Sequence, residues 1–210
     1  MMDKSFMIWI ILSGLTLSLC TSCKEAKGKD VLYLPIDSFN DGDLAFRRGA
    51  GLLSHAVMIA DQKGVYSHVG IMIQLNGKWQ VIHAVPDEPD FKGDVDRVKI
   101  EPLDRFFASD KAVRGAVMKF KGNPSIAKQA AKVALHIAGQ KILFDHHYNL
   151  NDTTEMYCTE LVNYAYQKAG INLSEGRISQ LNVPTFKGSY LMPSDIAANQ
   201  QLEVIFQFAR

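Results

Sequence analysis

Cysteine is scarce in this chain of 210 residues: there are three, two of them at positions 20 and 23, so Cys158 stands alone in the body of the sequence. With no partner there, a structural disulfide within the chain is excluded, and a lone thiol is either a small buried hydrophobe or a reactive group. Excess charge is missing as well. Lys and Arg total 23 against 22 Asp and Glu, and no run of five or more basic residues occurs, so nothing would hold a nucleic acid or an anionic membrane surface by charge. No internal repeat or low-complexity tract is visible, which excludes solenoids and fibrous arrays. The longest apolar run, Phe6 to Leu19, is short for a transmembrane span. What remains, 47% hydrophobic and 21% charged, suits one globular domain with an ordinary core.

The N-terminus differs in kind from the rest. Lys4 lies in a short polar start, the apolar run follows, and Leu19-Cys20-Thr21-Ser22-Cys23 leads into the polar Lys24-Glu25-Ala26-Lys27-Gly28-Lys29. This order reads as an export signal. The small residues before Cys23 resemble a bacterial lipoprotein signal, which implies that residues 1–23 are the signal ending at a lipidated Cys23. Cys20 suits cleavage less, because the bulky Leu19 precedes it. An ordinary signal peptide or signal anchor with incidental cysteines is the alternative. Cys20 and Cys23 also match C-x-x-C, but no strand-turn-helix context or second pair supports a redox or zinc site. Residues 24–32 then form a polar tether and 33–210 a single domain, on a protein held at the membrane of the cell envelope, in the bacterial periplasm or outer membrane.

Within the domain, Leu44 to Arg47 reads as a strand and Gly49 to Asp61 as an amphipathic helix through Leu52, Leu53, Ala56, Val57 and Ala60. Tyr66 to Leu75 alternates, Asn76-Gly77 is the favoured two-residue turn, and Lys78 to Val85 returns. Further strands are expected over 95–100, 113–120 and 202–208. Helices are expected over 102–108, 124–138 and 153–169, the last stopped by Gly170, with a short one opening at Pro193. Hairpins and separated helices together predict an α+β fold with an antiparallel sheet.

The hairpin register follows from its turn. If Leu75 faces Lys78, opposing positions sum to 153, so Gly70 faces His83 and His68 faces Val85. His68 and His83 then project from one face as diagonal neighbours about 7–8 Å apart at the backbone, and Gly70 leaves room for an imidazole. One histidine to act and one to orient it match the logic of a thiol triad. Two polar residues on a sheet face is the bland reading. Half of a metal site completed by His146 or His147 is another, but the ligand spacing is irregular and no metal is expected.

Cys158 lies 90 residues after His68. Asp152 and Glu155 are spaced as a capping box, which would start a helix just before the cysteine and direct unpaired N–H groups and the positive dipole end at its sulfur, lowering the thiol pKa. Leu161, Val162, Ala165 and Ala169 continue its face, as they would for a core cysteine too.

Four segments together, Asp41-Gly42-Asp43-Leu44-Ala45-Phe46-Arg47, Tyr66-Ser67-His68-Val69-Gly70-Ile71, Val81-Ile82-His83-Ala84 and Tyr157-Cys158-Thr159-Glu160-Leu161-Val162, resemble the successive signatures of permuted papain-like cysteine amidases of the YiiX/YaeF type. These are relatives of NlpC-type cell-wall peptidases and of lecithin:retinol acyltransferase. The resemblance spans roughly residues 38–200. It implies a circularly permuted papain-like (NlpC-like) fold, because papain-like enzymes place the cysteine before the histidine and here the order is reversed. It also implies Cys158 as nucleophile, His68 as general base and His83 as the orienting residue, with no cofactor. The departure is His83, where this branch is expected to carry Glu.

The expected activity is cleavage of an amide bond, in a cell-wall peptide or an acylated amine, by an exported, lipid-anchored cysteine hydrolase with no nucleic-acid partner. Tyr157 is a candidate substrate-binding residue, while Tyr66 and Asp145 read equally as packing or loop structure. The alternatives are a thioester-mediated acyltransferase or lipid hydrolase, and a binding module with a vestigial site.

Overall fold

Residues 32–183 and 186–210 are described by this computed structural model. The expected export signal, Cys20, Cys23 and all of the tether except Leu32 lie outside the described residues. Strand β1 (Leu44–Arg48) is followed by α1 (Leu52–Ala60), the hairpin strands β2 (His68–Leu75) and β3 (Lys78–Val85), then β4 (Arg97–Pro102) and the one-turn α2 (Leu103–Phe106). After β5 (Arg114–Phe120) comes α3 (Pro124–Gly139), the two-residue strands β6 (Leu143–Phe144) and β7 (Glu155–Met156), and α4 (Cys158–Lys168). A separate hairpin of β8 (Ser179–Val183) and β9 (Phe186–Tyr190), the short α5 (Pro193–Ala197) and β10 (Leu202–Ala209) complete the chain.

One eight-stranded sheet organises these elements in the order β10-β5-β1-β2-β3-β4-β6-β7, antiparallel except for the β6–β7 pair. Alternation along each strand sorts side chains onto two faces. Leu44, Phe46, Val69, Ile71 and Ile82 join α3 and α4 in the larger core, while Ala45, Met72, Val81 and Val117 join Leu103, Phe106 and Phe107 on the opposite face. Truncating a fully buried ring such as Phe46 to alanine would cost about 3–5 kcal/mol.

The central hairpin keeps the expected register, from Leu75 opposite Lys78 to Ile71 opposite Ile82. Asn76 and Gly77 both adopt positive φ, 49° and 74°, as a turn that matches strand twist requires. Paired register between β2 and β3 ends at Ile71–Ile82, even though both strands continue against β1 and β4. That early end frees backbone groups of β2 near His68.

Helix α3 opens as its sequence suggests: Pro124 occupies the first turn and the Asn123 side chain accepts from the Ser125 N–H. Two expectations are corrected. The helix predicted from Thr153 begins at Cys158, because Asp152 accepts from the backbone N–H and hydroxyl of Thr154 in a local turn and Glu155–Met156 pairs with Leu143–Phe144 as β7. The Asp152–Glu155 capping box is therefore not formed. Helix α1 does not bury the face its periodicity implied: Leu52 is 91% and Leu53 37% exposed, and only Ala60 is buried. Among the described residues no helix is long and apolar enough to cross a membrane.

Candidate active site

Asp41-Gly42-Asp43 serves architecture rather than chemistry. Gly42 has φ +94° and sits so close to α3 that an added Cβ would meet the Ala127 carbonyl oxygen at 2.2 Å, while the Tyr166 hydroxyl of α4 donates to the Gly42 carbonyl at 2.7 Å. The Asp41 carboxylate accepts from the Gln74 N–H, and the Asp43 carbonyl from the Met72 N–H. This turn ties α4 to β1 and β2 and packs closely on α3. Burial pushes the Asp43 carboxyl up to about 6.

His68 opens β2 and His83 lies near the end of β3, and both are buried. His68 Nε2 is 2.9 Å from His83 Nδ1, with the two rings edge to face and Phe106 against both. Gly70 permits this arrangement, since a Cβ there would lie 3.0 Å from the Cβ of His83 and 2.8 Å from the Ile82 carbonyl oxygen. His83 Nε2 faces Glu101 Oε2 of β4 at 3.5 Å, and neither atom has a hydrogen-bond partner among the described residues. With His83 protonated on Nε2, the nitrogen nearest the carboxylate, His68 donates from Nε2 to His83 Nδ1 and its own Nδ1 is left as an acceptor.

Cys158 is the first residue of α4, after the extended N-cap Tyr157. Backbone N–H groups of Val69, Thr159 and Cys158 itself donate toward its sulfur. Val69 can do so because the β2–β3 ladder stops at Ile71, short of the position where Val69 would pair with Ala84. Cys158 and His68 border one cavity of about 460 Å³, walled further by Ser54, Glu88, Lys111 and Tyr148.

The electrostatics correct one sequence expectation. Burial pushes the Cys158 thiol up to about 11, outweighing the three N–H groups and the Arg47 charge that pull it down. Placement at a helix start therefore does not make a resting thiolate here. Burial, followed by the charges of Arg47, Lys111 and Lys99, holds His68 well below its ordinary value, and His83 is lowered by burial, His68 and the same cations. These shifts favour the neutral thiol and the neutral imidazoles.

Those cations belong to a buried ionic layer that sequence reasoning missed. Arg47 pairs with Glu88 and donates to the Phe106 carbonyl, Lys111 bridges Glu88 and Glu101, and Lys99 reaches Asp90 and the Glu88 carbonyl. Arg47 was quoted only as part of a motif, and its alternation with Ala45 on β1 was the available signal that it faces the histidines. Nothing local marks Glu88, Glu101 and Lys111, which come from three different segments.

Tyr157 borders the cavity, but its hydroxyl accepts from the Leu191 N–H at 3.1 Å and its ring packs edge-on to Tyr148, so it also braces the wall. Asp145 accepts from the backbone N–H groups of His147 and Asn149 and orders its own loop, while Tyr66 packs against Phe46. His146 lies at the surface beside Asp96. Among the described residues no three His, Cys, Asp or Glu side chains are gathered so as to hold a metal ion, and the facing nitrogens of His68 and His83 are occupied by each other.

Residues 38–205 match the family described as permuted papain-like amidase enzyme, YaeF/YiiX, C92 family. The chain belongs to this family. Its fold agrees: a solved structure described as metalloprotein yiiX from Escherichia coli O157:H7 is similar at a TM-score of 0.65 and 21% identity, over 81% of this chain and 98% of that one. A search of curated proteins returned no match. For a permuted papain-like amidase, the reversed order of histidine and cysteine has a topological ground, since β2 and β3 come first and α4 is packed onto them later in the chain.

Proposed function

We propose that this protein is an exported, lipid-anchored cysteine hydrolase that cleaves an amide bond through Cys158, His68 and His83, held at the cell-envelope membrane by Cys23. The observation that carries the catalytic part is the 2.9 Å contact between His68 Nε2 and His83 Nδ1, which turns Nδ1 of His68 into the available base on a cavity shared with Cys158. The anchor rests on the sequence around Cys23 alone.

In this reading the thiol, resting protonated, gives its proton to His68 Nδ1 as sulfur attacks the carbonyl carbon. His83 stabilises the imidazolium by accepting from Nε2, and Glu101 stabilises His83 in turn. As the S–C bond forms, the N–H of Cys158 at the start of α4 is released toward the oxyanion. The tetrahedral intermediate collapses, His68 protonates the departing amine, and water admitted from the cavity cleaves the thioester with His68 again as base.

Profiling the purified protein and its Cys158→Ala variant on cell-wall peptides and N-acyl amines tests the proposal. Turnover by the parent and none by the variant is expected, whereas equal turnover by the variant would refute the assignment. Adding an amine acceptor separates hydrolysis from acyl transfer through the product formed.

A further inference from the structure

Cys158 borders two cavities that differ in size and in the share of polar groups on their walls. The larger, of about 460 Å³, has mixed walls: charged and hydroxyl groups, among them Arg47, Ser54, Asp87, Glu88 and Lys111, alternate with apolar ones such as Leu52, Leu53, Val57 and Val85. The other, about 50 Å³, is almost wholly apolar and is formed by Val57, Ala60, Leu181, Leu191, Met192 and Pro193, closed by tyrosine rings. Cys158, Tyr157, Tyr148, Ser67 and Val57 border both. A carbonyl carbon placed on the sulfur can then direct one substituent into each.

His68 decides which substituent goes where. It borders the large cavity and not the small one. The group that protonates a leaving amine has to lie beside it, so the amine side occupies the large cavity and the acyl side the small apolar one. Size then limits the acyl group. At about 10–15 Å³ for each water-sized occupant, the small cavity has room for roughly four non-hydrogen atoms. Its walls offer burial of methyl and methylene groups, and an acyl group bearing a charge near the carbonyl would be desolvated there without a counter-ion.

We propose that the substrate is an amide whose acyl part presents a short apolar group, of about four non-hydrogen atoms or fewer, to the cavity formed by Ala60, Leu191 and Met192, and whose amine part lies in the larger cavity. This rests on Cys158 being the nucleophile, and it selects short aliphatic acyl or amino-acyl groups over long-chain acyl amines. In the acylation step the sulfur–carbon bond forms, the carbon–nitrogen bond breaks, and the thiol proton passes through His68 to the leaving nitrogen. Water then adds to the thioester carbon and releases the acid and the thiol.

The test is acylation of the full chain by p-nitrophenyl acetate, butyrate and octanoate, followed by p-nitrophenol release and by the mass added at Cys158. Butyrate is expected to acylate at least about tenfold faster than octanoate, since misfit of a single methylene in an apolar pocket is worth 10-fold or more. Ala60→Leu, which fills the cavity, should place acetate ahead of butyrate. Met192→Ala, which enlarges it, should bring octanoate up toward butyrate, and it serves if the first variant does not fold. Octanoate equal to or faster than butyrate in the parent, or an unchanged order in both variants, would overturn the acyl assignment while leaving Cys158 as nucleophile. No acyl adduct at Cys158 with any ester would remove the cysteine reading itself.

Discussion

His68 and His83 are joined nitrogen to nitrogen at 2.9 Å beneath the Phe106 ring, and the only ring nitrogen this leaves His68 is Nδ1. A base with one occupied nitrogen is held in both tautomer and orientation. Its value to the site depends on Cys158 and on the residues behind His83.

Removing the thiol or its base should therefore end activity without unfolding the protein. Cys158→Ala is expected to lower kcat/KM by on the order of 10³-fold or more, and His68→Ala by about 10²–10⁴-fold. Circular dichroism and thermal melting check that each variant still folds. Either variant retaining full activity would remove that residue from the mechanism.

His83 is expected to act through His68, so chemistry at position 83 matters more than bulk. His83→Gln keeps a carbonyl that can accept from His68 Nε2–H and should retain part of kcat, whereas His83→Ala should retain far less and take away the imidazole that faces the buried Glu101 oxygen, at a stability cost of about 1–3 kcal/mol. Equal kcat for the two variants would show that His83 has no orienting role.

Both histidines take up a proton less readily in the folded protein than at their ordinary value of 6.5. The unfolded chain therefore binds more protons below about pH 6.5, and stability, fully present above that value, falls as the pH drops through it toward the lowered folded values. Urea midpoints measured from pH 8 to pH 5 should decline on the acid side, with a shallower decline in His83→Gln. A midpoint that rises on acidification would contradict neutral histidines.

With its thiol pushed up to about 11, resting Cys158 should react with iodoacetamide more slowly at pH 7 than an ordinary free thiol, and progressively faster as the pH approaches 11. Low resting reactivity is thus compatible with catalysis here, because the proton leaves to His68 as the substrate is attacked. Alkylation at pH 7 faster than that of a free thiol would mean that the resting site is a thiolate–imidazolium pair instead.

Gly42→Ala tests the turn that fastens α3 and α4 to the sheet. Positive φ and the 2.2 Å approach to the Ala127 oxygen should together cost about 2–4 kcal/mol, seen as a lower Tm. A Tm within a degree of the parent's would show that the turn can shift at little cost.

The hairpin was legible because its signals are local. Asn76-Gly77 sets the turn, the period of two sets the faces, and from these alone His68 and His83 fall side by side with Gly70 making room. The order of His68 before Cys158, read with the four motifs, likewise pointed to the permuted family that residues 38–205 match. The start of α4 was misplaced for an equally local reason: Asp152 and Glu155 have the spacing of a cap, but in the fold Asp152 closes its own turn with Thr154 and Glu155 is drawn into β7 by Leu143.

The rest depended on contacts between distant segments. Arg47, Glu88, Glu101 and Lys111 come together behind the histidines only once β1, the loop after β3, β4 and the segment before β5 are assembled, and no periodicity marks that meeting. The charge state of Cys158 was decided in the same way. Sequence placed the sulfur at a helix start, which favours thiolate, but desolvation in the fold outweighs three N–H donors and pushes the thiol up to about 11. A local pattern determines which groups can meet along one element. Desolvation depends on everything packed around them, so the protonation state of this site was settled by the tertiary structure.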